Sequence, residues 1–165
     1  MSNSIFDRCS VREYNADLVE NEKIELLLKA GMSAPSACNQ RPWEFYVITK
    51  KSILRELARC SPFAKCVRNA SVAIVPCYKT QNVRAPECVE YDLSAAVENI
   101  LLEATFLGLG AVWLGIAPVE LRMEKVRDVL EIPKYLNAFA IISIGYPKKL
   151  MHRENYFDRT IIHYC

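Results

Sequence analysis

Histidine is nearly absent from this sequence: His152 and His163, both in the C-terminal tail, are the only two. Histidine-based catalytic triads and H-E-x-x-H metal sites are therefore excluded. Glycine is scarce as well, with five residues in 165, and none falls in a G-x-x-x-x-G-K-S/T phosphate loop or a G-x-S-x-G elbow. Gly108, Gly110 and Gly115 do not complete a G-x-G-x-x-G, and they follow a helical stretch where a dinucleotide fingerprint follows a strand. No apolar run approaches the roughly 18 to 20 residues of a membrane span. Met1-Ser2-Asn3-Ser4 lacks the basic and apolar regions of a secretory signal, so none is expected. An excess of one charge is missing too: 21 Lys and Arg stand against 19 Asp and Glu, for a net charge of +2. That balance gives no global field for nucleic acid or an anionic membrane, although a local basic patch can still hold a small anion.

Cysteine is present without a framework. The seven residues, Cys9, Cys38, Cys60, Cys66, Cys77, Cys88 and Cys165, are an odd number with irregular gaps and no C-x-x-C pair. Zinc sites want close thiolate pairs, and secreted disulfide scaffolds usually an even count. Free thiols in a reducing cytoplasm are the expectation.

What the chain does have is apolar patterning: 52% hydrophobic and 24% charged residues exclude disorder and suit one domain with a full core. Ile24, Leu27, Leu28 and Met32 predict a helix over 21–32, with Gly31 as its C-terminal stop. Trp43 to Thr49 reads as a strand, Lys50 to Cys60 as a short helix, and Ala70 to Val75 as a central strand buried on both faces. Val89, Leu93, Val97, Ile100, Ala104 and Leu107 recur at helical steps between Glu87 and Leu107. At 1.5 Å per residue this is a rod of roughly 30 Å, apolar around much of its girth and so buried on more than one side. A strand at 111–116, a helix at 118–130 and a strand at 137–144 complete a layered sheet with helices on both faces.

With so few positioned acid-base groups, chemistry falls to a bound cofactor. Three segments suit one. In Arg8-Cys9-Ser10-Val11-Arg12, two guanidiniums flank a hydroxyl and can converge on a phosphate; a solvated basic turn is the plain alternative. Ser33 to Trp43 has Pro35 and Pro42 to stiffen it and Ser36, Asn39 and Gln40 to donate and accept, as a gripping loop or a simple connector. From Gly108 to Ile116, Gly115 lets backbone approach a planar heterocycle and Trp113 supplies apolar wall, although glycines at strand ends also serve packing.

The order of these motifs resembles the FMN-dependent nitroreductase family. The opening is Arg8-Cys9-Ser10-Val11-Arg12, followed by S-A-P-S-A-x-N-x-x-P-W from Ser33. Then come Asp92-x-x-Ala95-Ala96-x-x-Asn99-Ile100-Leu101-Leu102-x-Ala104, Gly108-Leu109-Gly110 with Trp113-Leu114-Gly115, and Ile144-Gly145-Tyr146-Pro147. The resemblance covers essentially the whole chain. It implies an α+β fold: a three-layer α/β/α sandwich with a mixed sheet and a long central dimer helix. It implies one FMN-binding domain over 1–165, with 146–165 as a tail packing on the partner subunit. The active form is a homodimer with FMN at the subunit interface. By motif match, Arg8, Cys9, Ser10 and Arg12 lie along the FMN phosphate, ribityl chain and pyrimidine edge. Pro35, Ser36, Ala37 and Asn39 approach the same flavin from the partner subunit. Leu114 and Gly115 present backbone near flavin N5, and Arg153 is the tail candidate for the phosphate.

The implied activity is a cytoplasmic NAD(P)H-dependent oxidoreductase that passes hydride through FMN to a nitroaromatic, a quinone or a similar acceptor by a ping-pong route. No catalytic side chain, metal, nucleic acid or membrane is called for. The other readings are a flavin-holding or interaction protein with little turnover and a specialised reductive dehalogenase-like relative. The chain departs from the family pattern at Cys9, where a second basic residue is frequent, and at Arg41, where glutamine is. Cys38 is expected to fill space, Asp92 to lie on a helix surface, and Cys165 to have no role.

Overall fold

The computed structural model describes residues 3–149 and 156–165. A short helix, α1 (Ser4–Asp7), precedes α2 (Asn21–Met32), β1 (Trp43–Ile48), α3 (Lys51–Leu57), β2 (Val72–Lys79) and α4 (Val89–Phe106). The chain continues through β3 (Gly110–Gly115), α5 (Glu120–Leu130), β4 (Leu136–Ala138) and β5 (Ala140–Gly145). The helical periodicities land close to their expected bounds.

The sheet runs β1-β2-β5-β3, with β4 also paired to β2. Alternation sorts its side chains onto two faces. Val72 and Ile74 of β2, with Ala140, Ile142 and Ile144 of β5, meet α2 and α4. Ala73, Val75 and Cys77 of β2, with Val112 and Leu114 of β3, meet α3, α5 and the tight turn Ala64–Asn69. The result is the expected α/β/α sandwich. All pairings between the named strands are antiparallel, and the parallel component of the mixed sheet is the bridge Ser10↔Ala111.

Two strands differ from expectation: the one expected over 70–75 is β2, which runs on to Lys79, and the second differs in kind. The apolar run over 137–144 is not a single strand but β4 and β5, separated at Phe139. Cys77 is opposite Ala138 while Ile74 is opposite Ile142, so three residues, 139–141, face only Val75 and Pro76. Proline has no N–H to donate to a neighbouring strand, and the bulge sits against it. The Pro76 carbonyl accepts from Phe139 N, and the Phe139 carbonyl accepts from Ile116 and Ala117. A single extra residue reverses the facing of everything beyond it. Leu136 and Ala138 accordingly point to the α3/α5 face, and Ala140, Ile142 and Ile144 to the α2/α4 face.

Gly31 also serves a purpose other than the one expected. It lies inside α2, where an added Cβ would fall 2.9 Å from Ile100 Cδ1, so its bareness lets α2 approach α4. Asn99 of α4 reinforces the contact by donating to the Ala30 carbonyl.

The segment 10–14 docks across the starts and ends of β3 and β5. Val11 N donates to the Ala111 carbonyl, and the buried Tyr14 hydroxyl lies 2.8 Å from Val11 O and 2.9 Å from Ser143 O. Two glycines make room. A Cβ on Gly110 would stand 2.6 Å from Val11 Cγ1, and one on Gly145 would stand 3.0 Å from the Tyr14 ring. Gly110→Ala is expected to destabilise the protein by about 1–3 kcal/mol in urea unfolding, because Val11 cannot retreat by a simple rotation. Val11→Ala in the same chain relieves the clash, so the double variant loses less than the sum of the single ones.

Cys77 is enclosed in β2, and burial pushes its thiol up to about 12. The folded chain keeps this proton after the unfolded chain, with a thiol near 9.0, has lost it. The stability it contributes is therefore complete below that value and declines as pH rises toward 12, by up to about 1.4 kcal/mol per pH unit. Comparing urea unfolding of the parent and Cys77→Ala at about pH 8 and about pH 10 checks this; the variant should lose less between the two.

Candidate functional site

The residues singled out in the sequence fall into three groups along α4 and β3. The first is the N-terminal segment beside the start of β3. Arg8 reaches α4, its Nε 3.2 Å from Glu98 Oε1, so this guanidinium is already partly engaged. Cys9 packs against the small cluster of Val11, Tyr14 and Ala70. Ser10 and Arg12 are exposed, and Arg12 has no hydrogen bond or ion pair among the described residues. Burial raises the Cys66 thiol, and the Arg12 guanidinium pulls it partly back, which places Cys66 of the turn Ala64–Asn69 within the electrostatic reach of this segment. No spacing in the sequence pointed to Cys66.

The second group is the loop after α2. Cys38, Asn39 and Arg41 all have left-handed backbone, with φ of 51°, 51° and 46°. Non-glycine residues resist this conformation at a cost of about 1 kcal/mol or more each, so the surroundings must hold it. They do. Ala37 N donates to Asp92 Oδ1 at 2.8 Å, and Gln40 Nε2 donates to Asp92 Oδ2 at 2.7 Å. Gln40 also exchanges two hydrogen bonds with the backbone of Ala85. Within the loop, Ser36 Oγ accepts from Arg41 N, and Asn39 Oδ1 accepts from Arg41 Nε.

This arrangement corrects two expectations. Asp92 is not on a helix surface but 4% exposed, and it is the clamp of the loop. Its signal was in the sequence: Val89, Asp92, Leu93 and Ala96 share the apolar stripe of α4, where a carboxylate needs a partner. Cys38 does not fill space, since the strained loop turns it to solvent. Tyr91, beside Asp92 in sequence, is exposed to solvent.

The third group is the end of β3. Leu114 is buried and Gly115 exposed. The glycines flanking this strand divide in role. Gly110 is bare for packing, whereas a Cβ on Gly115 would meet no described residue within 4 Å. Gly115 therefore opens its backbone outward, and its carbonyl accepts from Arg122 Nη1 at 3.2 Å. Behind it the half-buried Trp113 ring packs on Phe139, with centroids 5.6 Å apart.

Asp92 and Glu98 are six residues apart on α4, or about 9 Å along its axis, and Ala111 lies about 13 Å from Gly115 along β3. One chain thus sets out three separate contact groups along a common scaffold. The donor set fits an anionic flavin nucleotide: the cationic Arg8 and Arg12 with the Ser10 hydroxyl, a stiff amide-bearing loop, and a bare backbone at Gly115 where a flat ring can lie. Arg153, the expected tail contact, lies outside the described residues.

The Nitroreductase family matches residues 5–66 and 62–146. The chain belongs to this family. It is 43% identical over 145 residues to a protein of Archaeoglobus fulgidus provisionally named NADH dehydrogenase/NAD(P)H nitroreductase, covering 87% of this chain and 83% of the relative. It is also similar to two solved structures. The first, from Clostridium acetobutylicum, is provisionally described as an NADH oxidase. It has 41% identity and a TM-score of 0.94, over 97% of each chain. The second is an FMN-dependent nitroreductase from Clostridium difficile, with 30% identity and a TM-score of 0.91, over 99% of this chain and 98% of that one.

In this nitroreductase-family chain, the Asp92 clamp makes its own prediction. Asp92→Ala leaves the Ala37 N–H and one Gln40 N–H without acceptors and is expected to cost about 1–3 kcal/mol. Amide exchange within 36–41 should accelerate more than in the rest of the chain, because the strained backbone loses its support. Uniform acceleration would show that Asp92 stabilises the fold and not the loop.

Proposed function

We propose that this chain is an NAD(P)H-dependent FMN oxidoreductase, acting as a cytoplasmic homodimer with flavin at the subunit interface. Family membership supports the reading, and the single structural observation that carries it is Gly115. A buried strand ends in an exposed, bare glycine whose open side nothing among the described residues fills. FMN, when bound, supplies hydride acceptance at N5 from NAD(P)H and hydride delivery to a nitroaromatic, quinone or similar acceptor in a second half-reaction, a ping-pong sequence.

The roles of the chain's residues are those that the family resemblance implies. Arg8, Cys9, Ser10 and Arg12 would hold the phosphate, ribityl and pyrimidine portions, with Arg12 the exposed cation that favours negative charge on the ring edge. Leu114 and Gly115 would fix the ring face with backbone atoms. The loop over Pro35, Ser36, Ala37 and Asn39, held rigid from behind by Asp92, would close on the flavin of the opposite subunit. No histidine lies in these segments, and the proposed route asks for no side-chain nucleophile.

Exposed apolar side chains support the dimer. Ile5, Phe6, Met32 and Phe106 stand out from α1, α2 and α4, and Tyr156, Phe157, Ile161 and Tyr164 line the described part of the tail. Apolar surface gathered on adjacent elements is the usual mark of an interface. Among the described residues no helix is long and apolar enough to cross a membrane.

The test is the visible spectrum of the purified protein, before and after anaerobic NADH and then NADPH. A flavin spectrum that bleaches is expected. Flavin colour that persists with both reductants would favour a non-catalytic flavin protein, and failure to bind added FMN would overturn the site. Arg12→Leu should lower the flavin midpoint potential, because a cation that stabilises the reduced anion has been removed. An unchanged potential would remove Arg12 from that role.

A further inference from the structure

On the α3/α5 face, a surface cavity of about 280 Å³ is lined by Arg55, Arg59, Arg68 and Asn69. Arg55 is in the last turn of α3, Arg59 follows one turn later, and Arg68 and Asn69 close the turn Ala64–Asn69. Their backbones are anchored from beneath, where Leu54, Leu57, Ala58, Ala64 and Val67 are almost wholly buried in one cluster. The three guanidinium stems therefore project from fixed points.

This is an unfavourable arrangement for an empty surface. Like charges one helical turn apart repel, and a third cation is added from a different element. The cavity gathers three positive charges on a chain whose net charge is only +2. Among the described residues, none of the three arginines makes an ion pair or a side-chain hydrogen bond. Carboxylates do occur nearby. Glu56 of α3 and Asp128 of α5 both act on the adjacent Cys60, yet neither pairs with the cavity's arginines. Lys51 of α3 is occupied by the Ala70 carbonyl at 2.7 Å. The negative end of α3 explains cations at Arg55 and Arg59, but it gives no reason for Arg68 to converge on the same cavity.

We propose that this cavity binds the phosphate groups of a small molecule, a diphosphate or a comparable polyanion. Guanidinium groups present planar pairs of N–H donors that match phosphate oxygens two at a time, and three of them suit more than one negative charge. Asn69 adds an amide donor at the rim. None of the cavity's four residues is among the proposed flavin contacts, and its occupancy does not depend on the oxidoreductase reading.

The experiment uses the full chain and inorganic pyrophosphate as probe. The Nε–Hε signals of the three arginines are followed by ¹⁵N NMR and assigned by Arg55→Gln, Arg59→Gln and Arg68→Gln. All three signals should shift together and saturate. By calorimetry the triple variant should bind pyrophosphate about tenfold or more weakly, the scale of a lost charge-assisted contact. The three side chains are exposed, so thermal unfolding should be little changed, and Arg68→Gln alone supplies the test if the triple variant does not fold. If NADPH moves the same three signals, the ligand is a dinucleotide; if pyrophosphate alone does, it is a free oligophosphate, and either result supports the site. Signals that do not move at millimolar pyrophosphate, or a triple variant that binds as tightly as the parent, overturn it.

Discussion

A buried carboxylate supports the loop that follows α2. Asp92 sits inside the apolar stripe of α4 and gives both oxygens to the loop that follows α2. Without that acceptor, three left-handed non-glycine residues in four positions would relax toward ordinary backbone. The interaction works in both directions: the loop supplies the hydrogen bonds that make a carboxylate tolerable in the core, and the carboxylate fixes the loop's unusual shape. Glu98, on the same helix, reaches Arg8 in the N-terminal segment. One helix thus registers two of the three contact groups against each other.

The third group depends on the sheet. The bulge opposite Pro76 turns β5 over, so that Ala140, Ile142 and Ile144 face α2 and α4 and provide the floor on which α4 lies. The same bulge frees the Phe139 carbonyl to accept from Ile116 and Ala117, which fixes the chain just beyond Gly115. A local irregularity in pairing therefore determines both where α4 rests and how β3 ends.

Periodicity revealed the helices because α2 and α4 bury whole stripes, and a stripe is visible within one segment. The motif order revealed the family for the same reason: each motif is local. What was hidden depends on contacts between distant segments. The 137–144 run looks continuous until Pro76, some sixty positions earlier, is laid beside it. Gly31 resembles a helix stop until Ile100 occupies the space where a Cβ would be. Gly110 and Gly115 look alike in sequence, and only their neighbours show that the first is bare for Val11 and the second for nothing among the described residues. Asp92 was legible in principle, since a carboxylate on an apolar stripe demands a partner, but the partner is the backbone of Ala37 and the amide of Gln40. Cys66 gave no signal at all, because its relation to Arg12 arises from docking of the N-terminal segment.

The distribution of polar groups accounts for the kind of chemistry this scaffold suits. Asp92 and Gln40 spend their side chains on each other and on backbone, Ser36 and Asn39 satisfy Arg41, and Arg8 meets Glu98. Such groups shape and charge a surface, but they are poorly placed to shuttle protons. Exposed in these groups are a cation at Arg12, a hydroxyl at Ser10 and bare backbone at Gly115, which bind and polarise without reacting, beside the solvent-facing thiol of Cys38. Binding and polarising groups of this kind suit holding a reactive group in a fixed field. In the proposed homodimer, a second copy of the chain would cover the apolar side chains left exposed on α1, α2 and α4 and bring its own contact groups to those set out along α4 and β3.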